Sequence, residues 1–124
     1  MISLKTTLLI NGVSSAATGL LLILLASPIA TLFGVAATDP FIGVGLFLLV
    51  FGVFVLITSL KTPINPRVVR LICTLDMLWV VASIIAVVWL AATISLFGLI
   101  AIVAVAVWVA AMAYLQTKGL SAFP

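Results

Sequence analysis

The segment from Leu71 to Gln116 most strongly limits how this chain can fold. It contains no proline, no basic residue and a single acid, Asp76. As one continuous helix it would be roughly 70 Å long at about 1.5 Å per residue, which is more than twice the hydrocarbon core of a bilayer. Apolar runs of this length are typical of transmembrane helices. We therefore expect the segment to fold back on itself as two membrane-spanning helices.

The composition of the whole chain points to the same class of protein. Hydrophobic residues make up 67% of the sequence and charged residues 6%, against roughly 45–50% and roughly 25% in soluble domains. So few charges cannot supply the polar shell that a water-soluble fold needs. We expect one transmembrane domain that covers residues 1–124.

The remaining apolar runs predict two further crossings, and so an all-α antiparallel bundle of four transmembrane helices. Pro28 is expected to end the first helix, because proline lacks the amide that continues the hydrogen-bond ladder. We interpret this run as a helix and not as a cleaved signal peptide, because the nearest small-x-small site lies well beyond its apolar core. The predicted helices cover residues 6–26, 40–60, 67–92 and 96–117.

Capping residues predict where three of these helices begin. Asp39, Asn65 and Ser95 are of the types that cap free amides at a helix start. Pro40 and Pro66 follow two of them, and proline suits the first helical position.

The basic residues predict the orientation in the membrane. With four crossings, all of them lie on one side and none on the other, and cytoplasmic segments carry the excess of Lys and Arg. We expect both termini in the cytoplasm, in a bacterial inner membrane. The outer connection, residues 27–38, reads equally well as a short interfacial helix or as an ordered loop. The basic residues are Lys5, Lys61, Arg67, Arg70 and Lys118.

The second predicted helix separates small and aromatic residues onto opposite faces. Gly45 and Gly52 share one face, where close contact with a neighbouring helix is expected. The opposite face carries Phe47, Phe51 and Phe54 and is expected to meet lipid or a second protomer.

Asp76 is the one ionisable side chain well inside a predicted span. A charge there costs at least about 2.5–3.5 kcal/mol on insertion scales, so we expect it to face other helices and find polar partners. Residues that enter from the same side at similar depth are the candidates. Two roles are open for such a cluster: a proton-binding or cation-binding site, or a contact that holds helices together. The predicted cluster consists of Asp76, Asn11, Ser15, Trp108 and Tyr114.

The residue types that are missing limit the chemistry. There is no histidine, no glutamate and only one cysteine, Cys73. We therefore predict no catalytic residues, no metal site and no cofactor, and do not expect an enzyme. The few basic residues lie at helix ends, which argues for lipid headgroups and against nucleic acid as their partner.

Two functions fit these expectations. The favoured one is a non-catalytic accessory or assembly subunit that acts through helix contacts, as a homo-oligomer or with another membrane protein, among membrane lipids. The alternative is a small proton-coupled transporter in which Asp76 is the protonatable site.

Overall fold

The computed structural model describes residues 3–121, which are all-helical apart from short connections. Four of the helices are long and apolar enough to cross a membrane, and only α2 is short. The four long helices of the prediction are thus confirmed, and each end lies within four residues of its expected position. The helices are α1 (Leu4–Leu24), α2 (Ala26–Phe33), α3 (Asp39–Leu60), α4 (Pro66–Leu90) and α5 (Leu96–Ser121).

Two of the three predicted caps are present. Asn65 Oδ1 accepts a hydrogen bond from the Arg67 amide at 3.0 Å, and Ser95 Oγ accepts one from the Gly98 amide at 3.1 Å. The prediction for Asp39 was wrong: this residue is the first of α3, and Thr38 occupies the cap position. An acid in the first helical turn is still favourable, because it faces the positive end of the helix dipole.

Pro28 does not end α1, contrary to the prediction. The break falls earlier, at Leu25, whose backbone (φ −114°, ψ 28°) departs from helical geometry. Pro28 instead lies in the first turn of α2, where amides have no intrahelical partner and proline is tolerated. The connection that was expected on the outer side is thus helical as far as Phe33, and Gly34 caps α2 with the left-handed φ of 77° that favours glycine.

The long helices form two closely packed pairs, α1 with α3 and α4 with α5. Helix α1 also lies against α5, whereas α3 and α4 meet through their side chains, with few close approaches of the two backbones. At the end of the molecule near α2, the Phe33 ring meets the rings of Phe41 and Phe97 edge-on, at centroid distances of 5.0 and 6.1 Å. There Ser95 also bonds to α2, with its amide to Phe33 O at 2.8 Å and its Oγ to Leu32 O at 2.6 Å.

Glycines bring the backbones of α1 and α3 into direct contact, as predicted for Gly45 and Gly52. A Cβ atom at Gly52 would lie 2.5 Å from the amide nitrogen of Ala16 and 2.7 Å from Gly12 O. At Gly45 it would lie 2.7 Å from Gly19 O. These neighbours are backbone atoms that cannot rotate away, so the approach of the two helices requires glycine at both positions.

The phenylalanine face of α3 does not share one environment, and the prediction was wrong for Phe51. Phe47 and Phe54 are exposed, but Phe51 is buried. Phe47 stacks on Trp79 of α4 with ring centroids 6.2 Å apart, so part of this face meets protein. Phe51 belongs to a core cluster with Leu4, Leu8, Val55, Val69 and Ile72.

Replacement of Gly52 by alanine should force α1 and α3 apart, because the added methyl group meets the backbone of Ala16. We expect a clear loss of thermal stability in detergent relative to Gly43→Ala. The control adds the same methyl group to the same helix at a position with no atom within 4 Å. Equal melting temperatures for the two variants would contradict the glycine contact.

Candidate functional site

A buried carboxylate forms the centre of the candidate site. Asp76, on α4, is only 2% exposed. Its Oδ2 accepts hydrogen bonds from Asn11 Nδ2 of α1 at 3.2 Å and from Gln116 Nε2 of α5 at 2.9 Å. Three helices thus meet at one oxygen atom. We call Asn11, Ser15, Asp76 and Gln116 the polar cluster.

The two amide side chains of the polar cluster use both of their donor hydrogens and also accept a hydrogen bond. Asn11 Nδ2 donates a second bond to Gln116 Oε1 at 2.7 Å, and Ser15 Oγ donates to Asn11 Oδ1 at 3.2 Å. Gln116 Nε2 donates its second bond to Cys73 Sγ at 3.6 Å. Each amide therefore uses both hydrogens and its oxygen. Closed networks of this kind rigidify a low-dielectric interior, because a partner lost there is not replaced by water.

The structure brings together three of the five residues named from the sequence, Asn11, Ser15 and Asp76. Trp108 lies elsewhere: it is 46% exposed, and its Nε1 donates to Ser14 Oγ at 3.1 Å. Tyr114 is 60% exposed and lies under the Lys118 ammonium, 5.5 Å from the ring centroid.

The rotation of α5 explains the exposure of Tyr114. This residue is two positions before Gln116, which at about 100° per residue turns it to the opposite side of the helix. Depth along the helix alone does not predict which side of α5 Tyr114 occupies.

Gln116 is the member of the polar cluster that sequence reasoning missed. Gln116 lies within the predicted helix, one residue before its expected end, and α5 continues to Ser121. A signal was present in the spacing. Val109, Met112, Ala113 and Gln116 are all buried and follow the i, i+3, i+4, i+7 pattern of one helical face.

The arrangement offers a carboxylate held by neutral donors. Within residues 3–121, no three His, Cys, Asp or Glu side chains come together in a way that could hold a metal ion. The cavity beside Asp76 measures about 20 Å³, close to the size of a single water molecule. Ligand binding by these residues stays a prediction. No family model, curated protein or solved structure matches this chain, so the function is argued from the site itself.

Replacement of Gln116 by methionine keeps the length of the side chain but removes both of its amide functions. Asp76 and Asn11 then each lose a partner inside a low-dielectric interior. We expect the unfolding free energy to fall by about 0.6 to 1.7 kcal/mol, the average and the largest value measured for interhelical hydrogen bonds in a membrane. Reversible denaturation in mixed micelles measures the unfolding free energy of the variant and of the wild type.

Thr74→Val is the matched control for this experiment. Thr74 lies on α4 close to the cluster but is exposed, and its hydroxyl bonds to Arg70 O of its own helix at 3.0 Å. Its replacement should change the unfolding free energy little. A Gln116→Met variant as stable as this control would show that the polar cluster does not hold the helices together.

Proposed function

We propose that the four long helices form an antiparallel transmembrane bundle with both termini in the cytoplasm of a bacterium. The five basic side chains support this orientation, because all are exposed and lie at the start of α1 and α4 or at the end of α3 and α5. Leu4, Val55 and Val69 from these helix ends pack in one core cluster, which draws the ends together. Labelling of Lys61 and Lys118 from opposite sides of the membrane would contradict the orientation.

Within that frame the protein acts as a non-catalytic accessory or assembly subunit, through contacts between helices. The observation that carries this proposal is the burial of Asp76 among amide donors on two other helices. A transport site must exchange its ligand with water on each side. The cavity of about 20 Å³ beside Asp76 offers no space for a solute larger than water. The carboxylate therefore serves best as an anchor between helices.

The surface that we assign to intermolecular contact is a groove of about 290 Å³ between α4 and α5. Its only polar side chain, Ser83, bonds to Trp79 O of its own helix at 2.8 Å and offers no free donor to a partner. The groove can therefore select a binding partner only by its shape. Ala106 and Ala110 line the groove and allow the close approach that drives helix association in lipid.

We assign a helix of a second copy to this groove. Two identical chains present the same patch to each other, so a two-fold contact needs only self-complementary shape and no selective polar group. The contact would cover side chains of α4 that are exposed in the single chain, among them Ile84 and Val88. Helix α4 is the least covered of the four long helices, which makes it the one with most surface left for a partner.

Replacement of both Ala106 and Ala110 by leucine should fill the groove and convert the oligomer into a monomer. Light scattering of the detergent complex, with the detergent mass subtracted, measures the change. Ala104→Leu is the control, because it adds the same atoms to an exposed position on α5 outside the groove. A wild-type protein that is monomeric in both nanodiscs and detergent would contradict the proposed self-association.

The alternative, a proton-coupled transporter, predicts a different outcome when Asp76 is replaced by asparagine. Under the proposal made here, wild-type protein in liposomes moves neither protons nor the lipophilic cation tetraphenylphosphonium faster than empty vesicles. Asp76→Asn then behaves as the wild type does. Flux in the wild type that disappears in Asp76→Asn, with an unchanged circular dichroism spectrum, would replace our proposal by the transporter.

A further inference from the structure

A small cavity lies between the long helices, immediately beside the polar cluster. Its volume is about 20 Å³, and most of its walls are apolar. Three polar residues also face it: Ser15 of α1, and Asp76 and Trp79 of α4. The apolar walls are Phe47, Leu48, Phe51, Leu75 and Val109.

The indole of Trp79, a residue that lines this cavity, carries a hydrogen-bond donor without a partner. Its Nε1 is fully buried and has no hydrogen-bond partner within residues 3–121. Buried indole N–H groups normally find a partner, because an unpaired buried donor keeps its full desolvation penalty. Trp79 is therefore an exception that calls for an explanation.

Asp76 brings acceptor capacity that the polar cluster does not use. Both amide bonds to this residue end on Oδ2, and among residues 3–121 no side chain donates to Oδ1. Ser15 Oγ donates its one hydrogen to Asn11, which leaves its lone pairs free to accept. The three polar residues that line the cavity thus carry one unpaired donor and two acceptors with free lone pairs.

The size and the mixture of groups identify the ligand. A buried water needs about 10–15 Å³ and two to four polar partners, and this cavity meets both conditions. A metal ion fits poorly: the indole N–H presents its positive end, and two oxygen-bearing side chains fall short of the six or more oxygen ligands that hard cations take. Any organic group larger than a methyl is too big.

We infer that this cavity is a binding site for one structural water molecule. The water accepts a hydrogen bond from Trp79 Nε1 and donates one to the Asp76 carboxylate, with Ser15 Oγ as a further partner. It thereby extends the polar cluster along α4 by one turn. Phe47 stacks on both Trp79 and Phe51, at 6.2 and 6.1 Å between centroids, and these rings wall the site.

Nuclear Overhauser transfer from water to the indole protons tests this inference. The protein is labelled with ¹⁵N-tryptophan in phosphatidylcholine and phosphatidylglycerol nanodiscs, and the three indole signals are assigned through Trp→Phe variants. We expect the Trp79 indole proton to show a cross-peak at the water frequency, with the sign of a long-lived contact. A wild-type spectrum without that cross-peak would overturn the inference.

Two variants test whether the Trp79 cross-peak comes from a bound water or from hydroxyl protons that exchange with water. Ser15→Ala removes the one hydroxyl that faces the cavity, and the Trp79 cross-peak should persist. Val109→Ile adds a methyl group to the wall without touching a polar atom, and the cross-peak should disappear while the amide spectrum stays that of the wild type. A cross-peak lost in Ser15→Ala, or retained in a folded Val109→Ile, would contradict a water in this cavity.

Discussion

The hydrogen bonds that join Asn11, Asp76 and Gln116 are the interaction on which the arrangement of the long helices depends. In a hydrocarbon surrounding no water replaces a broken bond, so a buried polar group must find its partner inside the protein. These three side chains satisfy one another only when α1, α4 and α5 take the observed rotation and depth. Apolar contacts alone define rotation less sharply, because lipid tails are as apolar as leucine.

Helix α1 connects the two packed pairs. One of its faces carries Gly12 and Gly19 and lies against the backbone of α3, and the neighbouring face carries Asn11 and Ser15 and lies against α4 and α5. Its mean hydropathy, 1.8, is the lowest among the long helices, whose other values lie between 2.4 and 2.8. The difference follows from its role, because glycine and polar residues occupy the two sides of α1 that face other helices.

Features fixed by local sequence could be predicted, and features fixed by helix rotation could not. Helix lengths and the caps at Asn65 and Ser95 depend on neighbouring residues, so the sequence is sufficient for them. The proximity of Asn11 and Ser15 to Asp76 follows from depth counted from one end of each helix. The exposure of Tyr114 and the burial of Phe51 depend on which face turns inward, and that is decided by packing across the molecule. Gln116 lies within the predicted helix, one residue before its end, but was not considered as a partner of Asp76.

Ser95 gives the opposite end of the molecule a second connection. Besides capping α5, it bonds through its amide and its hydroxyl to the last carbonyls of α2. The two helix pairs are thus joined at two separated levels, by the polar cluster and by Ser95, and side chains of α3 and α4 pack against each other between these pairs. Sliding of one pair past the other along the helix axes would break both connections at once. A bilayer of changed thickness would therefore tilt the protein as one body and would not shift the helix pairs against each other.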